Sequence, residues 1–148
     1  MASFSPRATY EDVNLIVKLY ELRRESRLRE ARRWFAASFK VRTLEEFQGL
    51  CPPGSETNAS YRMVTTYWEM VASFLTSSVV NQELFFQSGR ELLFTWERVR
   101  DVLPSLREVY QNPQELRNLE LAAGEYARWW NRQAAGAPEA FGKRIRGY

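Results

Sequence analysis

Histidine is absent from the 148-residue chain, and cysteine occurs once, at Cys51. Histidine is the commonest general acid–base and metal-ligating side chain. Its absence excludes Ser-His-Asp and Cys-His catalysis, His-based zinc sites and the Glu-x-x-His ligand pattern of di-metal bundles. A single cysteine excludes an internal disulfide and CxxC chemistry, and gives no sign of an oxidising compartment. Only three lysines occur, Lys18, Lys40 and Lys143, so arginine carries nearly all of the positive charge. The net charge of +3 and pI of about 9.2 suit an anionic partner without demanding one. Glycine-rich phosphate loops are missing: "QSGRE" and "AAGE" hold isolated glycines inside helical patterns. A long apolar run is missing too. The most apolar stretch, residues 65–86, has 13 uncharged residues between Glu69 and Glu83, against the roughly 20 that a spanning helix needs. The N-terminus has no apolar core of the signal-peptide type, so the expected location is the cytoplasm.

What is present reads as helix throughout. Strict apolar–polar alternation, Asn-Gly or Asp-Gly hairpin turns and 20–50-residue repeats do not occur. Thr9 with Asp12 forms a capping box. The apolar positions Val13, Ile16, Val17, Tyr20, Leu28, Ala31, Phe35 and Phe39 follow it, with neither glycine nor proline to break the helix. This predicts one helix of about 30 residues. Thr43 and Glu46 cap a short helix ended by Gly49, and "CPPGSETN" is a loop. A third helix spans about 56–77. Tyr61, Val64, Trp68, Val71 and Leu75 mark one stripe, Met63, Tyr67, Met70 and Phe74 a second, with Glu69 in the narrow polar strip left over. A fourth helix runs from Asn81 to Pro104, with Gly89 inside it. Asn112, Pro113 and Glu115 predict the start of a last helix bearing Leu116, Leu119, Ala123, Tyr126 and Trp130. The fold expected is an all-α, single-domain bundle of four main helices plus short ones, mostly antiparallel because the loops are short. The bundle would occupy residues 1–136, and residues 137–148 would form a basic, turn-rich tail.

The segments "TLEEFQGLCPPG", "YRMVTTYWEMVASFL" and "NQELFFQSGRELLFTWERV", in that order over residues 43–102, resemble an uncharacterised bacterial family of small all-helical domains. The resemblance implies a helical fold and no assigned activity. Many members carry an N-terminal membrane helix. None is visible here, so a membrane-anchored role is not expected.

Three groups of residues stand out. Residues 21–33 hold six arginines and three glutamates. That composition fits a phosphate-tracking helix, but the i,i+3 and i,i+4 spacings of Glu21–Arg24, Glu25–Arg29 and Glu30–Arg33 favour a salt-bridged solvated face. In "EYARWWNRQ", neighbouring tryptophans point about 100° apart on a helix. Trp130 continues the core stripe, so Trp129 with Arg128 and Arg132 forms a candidate interface; packing of Trp129 beneath the tail is the other reading. Finally, on an unbroken first helix Arg24 falls in the same direction as Val17, Leu28 and Phe35, with Arg27 beside it. A guanidinium in a core stripe needs a partner, a wet pocket or a local bend. The lone mid-helix acid Glu69 is the expected partner, giving a buried ion pair or an anion pocket formed by Arg24, Arg27 and Glu69. No catalytic or metal residue and no cofactor are expected. The function expected is a non-catalytic protein-interaction or regulatory module, with self-association among the forms it can take, and a nucleic-acid or anionic-surface binder through the Arg-rich helix as the alternative.

Overall fold

The computed structural model describes residues 7–148. Residues 1–6, part of the segment read above as lacking a signal-peptide core, lie outside the described residues. The described residues form α-helices and no strand. In chain order the helices are α1 (Tyr10–Arg23), α2 (Ser26–Ser38), α3 (Leu44–Leu50), α4 (Glu56–Thr76), α5 (Gln82–Phe86), α6 (Arg90–Val99), α7 (Leu103–Val109), α8 (Arg117–Gln133) and α9 (Ala137–Ile145).

The longest of them, α4, is the central element. Tyr61, Val64, Trp68, Val71 and Leu75 are all buried on it, as the double stripe requires, while Met70 on the outer edge is exposed. Its principal neighbours are α2 and α8, and α6 packs against both α4 and α8. Rings from several elements fill the end of the bundle nearest α3. Phe39 stacks on Phe35 (4.8 Å) and Tyr61 (5.1 Å), and Phe47 meets Tyr61 edge-on (4.9 Å). Cys51 is buried there, and loss of hydration pushes its thiol up to about 11. At neutral pH it is therefore a packing residue and not a nucleophile.

Four elements depart from the sequence reading. The single first helix is two helices, broken at Arg24 and Glu25. Glu25 leaves helical geometry and its carboxylate accepts the backbone N–H groups of Arg27 (3.0 Å) and Leu28 (2.9 Å), capping α2. This is the local bend offered as one way to keep a guanidinium out of the core. The fourth helix is likewise divided, into α5 and α6. A Cβ on Gly89 would lie 2.3 Å from the Phe85 ring, so the chain turns here at the one residue that can pass over that ring. The last long helix begins at Arg117 and not at Asn112. The Asn112 carboxamide accepts from the Gln114 N–H (3.0 Å) and makes a turn, after which Leu116 takes a left-handed conformation with φ 54°. The stretch expected as a turn-rich tail holds α9, whose Phe141 is buried and which packs on α6 and α8. Pro138 sits in its first turn, where a missing N–H costs nothing.

Candidate interaction surfaces and the buried charges

The break after Arg23 changes what α1 presents. At 100° per residue, Tyr10, Val13, Val17 and Tyr20 share an arc of roughly 80°, and the sequence reading placed Val13, Val17 and Tyr20 in the core. In the structure they face outward, at 76%, 42%, 49% and 53% exposure. The side of α1 that faces the body carries Leu19, buried, and Leu15 and Ile16, half-buried. Polar ties hold α1 in place. The Tyr67 hydroxyl donates to the Leu19 carbonyl (2.6 Å), and the Asp12 carboxylate accepts from the Asn81 N–H (2.8 Å). The exposed residues repeat at steps of three, four and three, the a/d spacing of a two-helix seam.

The Arg-rich segment is not a uniform face. Arg32 makes a bidentate pair with Glu91, both bonds at 2.7 Å, and Arg23 approaches the same carboxylate at 3.5 Å while lying over the Trp68 ring. Arg27 bonds Glu56 (3.1 Å) and Ser60 (3.2 Å). Three of the six arginines are therefore anchored to other helices. The short-range pairs expected from i,i+3 and i,i+4 spacing do not form among the described residues; Glu25, one of the three acids, is used instead as the cap of α2. A continuous phosphate-tracking row is not what the fold presents.

The pairing expected between Glu69 and Arg24 or Arg27 is replaced by other partners. Arg24 is exposed, 6.0 Å from the Tyr20 ring, and Arg27 is held by Glu56. Glu69 caps α8 instead. Its Oε1 accepts from the Leu119 N–H (2.8 Å), and its Oε2 from the Asn118 N–H (3.1 Å) and the Asn118 side-chain amide (2.8 Å). The physical reason is that helix bending frees Arg24 from the core line, while the first N–H groups of α8 have no partner of their own.

A buried charge works at the other helix pole. Arg98, 7% exposed, donates from Nη1 to the carbonyls of Phe39 (3.0 Å), Ala36 (3.1 Å) and Phe35 (3.4 Å), and from Nε to the Ile145 carbonyl (3.1 Å). One guanidinium thus satisfies the C-terminal ends of α2 and α9. The sequence reading missed this residue; beside Glu97 on a helix that also carries Arg90 and Glu91, it reads as part of a polar face. Glu97, also buried, lies between Arg100 (3.2 Å) and Arg146 (3.9 Å) and against Gly142. Burial pushes the Glu97 carboxyl above its ordinary range, against the pull of Arg100 and Arg146. A group whose folded-state pKa is raised contributes fully below its unfolded value and loses that contribution as pH rises through the folded one. The stability of the native chain relative to Glu97→Gln is therefore expected to fall as pH climbs from about 4 to 7. Urea unfolding of both proteins across that range measures it; a gap that widens with pH contradicts the reading.

The α8 residues singled out from sequence do not form one patch. Trp129 is half-buried against Phe86 (5.7 Å) and Tyr126 (5.9 Å), Arg128 pairs with Glu125 (2.6 Å), and Arg132 opens on a cavity of about 420 Å³ shared with Asp12 and Glu125. Trp130, on the neighbouring direction, meets Tyr126 and Phe141. Most of the ring surface expected at an interface is thus already used inside the chain.

Taken together, the molecule is an all-α domain in which Glu69 and Arg98 serve helix ends, with no described helix long and apolar enough to cross a membrane. The chain belongs to the family described as a domain of unknown function, DUF4760, whose model matches residues 8–129. No curated protein and no solved structure matches it.

Proposed function

We propose that the protein is a non-catalytic interaction module that pairs with a second copy of itself through α1. The observation that carries this reading is the outward seam of Tyr10, Val13, Val17 and Tyr20. Large apolar side chains gathered on one exposed helix face mark an association surface more often than scattered single ones do. The seam reads Tyr, Val, Val, Tyr in both directions, so an antiparallel partner places tyrosine on tyrosine and valine on valine. Charge selects that direction. The first turn of α1 carries Glu11 and Asp12, whereas its second half carries Lys18, Glu21 and Arg23, with Arg24 as its C-cap. Antiparallel packing sets acidic halves against basic ones and opposes the helix dipoles, whereas parallel packing stacks Arg24 on its own copy. The missing histidine and the buried thiol support a role without catalysis.

Sedimentation velocity at tens of micromolar is expected to show a dimer, and Val13→Glu/Val17→Glu a monomer of unchanged helicity. Asn14→Cys, near the two-fold centre, is expected to crosslink to its own copy on oxidation, while Tyr10→Cys is not. A native monomer, or a dimer indifferent to the paired glutamates, rejects the proposal. Crosslinking through Tyr10→Cys alone rejects the antiparallel direction.

A further inference from the structure

A cavity of about 510 Å³ opens between α2, α6 and α9, away from the α1 seam. Its apolar lining includes Phe35, Phe94 and Phe141, with Phe35 and Phe94 meeting edge-on at 6.4 Å. Its polar lining is four arginines, Arg29, Arg32, Arg33 and Arg90, and one acid, Glu91. That is a local charge of 4 − 1 = +3, equal to the net charge of the entire chain at 21 − 18 = +3. The charges outside this lining sum to zero, although Arg42, Lys143 and Arg146 gather around a single acid, Asp101, elsewhere.

The acid in the lining is already committed. Glu91 takes both bonds of the Arg32 fork and the approach of Arg23. Arg90 lies over the Trp130 ring at 4.2 Å. Arg29 and Arg33 are one helical turn apart on α2, both exposed, and neither makes an ion pair or side-chain hydrogen bond among the described residues. Two guanidiniums at i,i+4 stand close enough to bracket a single oxyanion. The arrangement combines an arginine pair at the mouth with an aromatic wall and a volume in the range of small-molecule sites. A straight phosphate chain gains nothing from the wall, and a purely apolar ligand gains nothing from the rim.

We infer that this cavity binds a small organic phosphate ester, its dianionic phosphate held by Arg29 and Arg33 and its apolar body laid against Phe94 and Phe141. The phosphate is preferred to a monocarboxylate because the uncommitted positive charge at the mouth exceeds one. Trp130, beneath Arg90, provides an internal fluorescent reporter.

The test is titration calorimetry of the full chain, backed by tryptophan fluorescence, with phenyl phosphate, inorganic phosphate and phenol as probes. Phenyl phosphate is expected to bind at least tenfold more tightly than either of the other two. Arg29→Gln/Arg33→Gln is expected to weaken it tenfold or more with an unchanged melting temperature. Arg24→Gln, an exposed arginine outside the cavity, is expected to leave it unaltered. Equal affinity for inorganic and phenyl phosphate would remove the role of the aromatic wall and overturn the inference. So would phenyl phosphate binding that survives the double variant, or no binding at millimolar probe. A single-stranded oligonucleotide that binds more tightly than phenyl phosphate and is weakened equally by Arg24→Gln would also overturn it, in favour of a diffuse polyanion surface.

Discussion

Replacing Arg98 with methionine is expected to lower the unfolding free energy by roughly 3–5 kcal/mol, the range for removing one member of a buried charged arrangement. Among the described residues the guanidinium has no carboxylate partner. Carbonyls at the ends of α2 and α9 replace its hydration, together with the rings of Phe94 (4.7 Å) and Tyr148 (5.6 Å). Methionine fills much of the stem's volume but removes the donor to the Ala36, Phe39 and Ile145 carbonyls, each at about 1–3 kcal/mol where water cannot reach, while the Phe35 carbonyl keeps the Phe39 N–H. Arg98→Lys keeps the charge and is still expected to recover less than half of the loss. One ammonium cannot span two helix ends that the planar fork reaches from opposite edges. The checking measurement is urea unfolding of both variants, with hydrogen exchange at the amides of residues 35–39. A loss under about 1 kcal/mol for methionine would mean that water reaches these carbonyls and that Arg98 is not their necessary donor.

The helices of this bundle are legible in sequence to the extent that their caps are local. Thr9 with Asp12 makes the reciprocal box that its spacing announces, Thr43 accepts from the Glu46 N–H, and Ser55 from that of Asn58. The α4 stripes are legible for the same reason: five core positions at alternating steps of three and four permit one buried direction. Breaks made by long-range partners are not legible. Glu25 is a poor cap by propensity beside Ser26, yet it caps α2 because the bend lets Leu19 and Leu28 both enter the core. Asn112-Pro113 is a strong start signal, yet the helix begins later because the acceptor for its first N–H groups comes from another helix. The same rule applies to charge. Arg24 and Arg27 looked anomalous only on a continuous helix, whereas Arg98, which is buried, drew no attention beside Glu97, Arg100 and Asp101. The cavity between α2, α6 and α9 was invisible because its walls come together only in the fold.

Glu69→Ala is expected to cost about 2–3 kcal/mol, and Glu69→Gln about 1 kcal/mol, through the start of α8. A side-chain cap is worth about 0.5–2 kcal/mol, and a negative charge at a helix N-terminus adds about 0.3–1 kcal/mol. Glu69 supplies both, and it also fixes Asn118, whose carbonyl oxygen accepts from the Thr76 hydroxyl at 2.7 Å. Glutamine keeps one acceptor for the Leu119 or Asn118 N–H but must turn an amide N–H₂ toward the other donor, so it loses one bond and the charge while holding its place. Double-mutant cycles distinguish this cap from an ion pair. Glu69→Ala with Asn118→Ala should be non-additive, because both remove the bond between the Asn118 side-chain amide and Glu69 Oε2. Glu69→Gln with Arg24→Met or Arg27→Met should add to within about 0.3–0.5 kcal/mol, as sites without shared partners do. Coupling of Glu69 to either arginine above about 1 kcal/mol would restore the ion pair that the sequence suggested and remove the cap from its role. Additivity with Asn118 would do the same. Through this carboxylate the central helix sets where its partner α8 begins, and so positions Tyr126 and Trp130 along the wall that they share with α6 and α9.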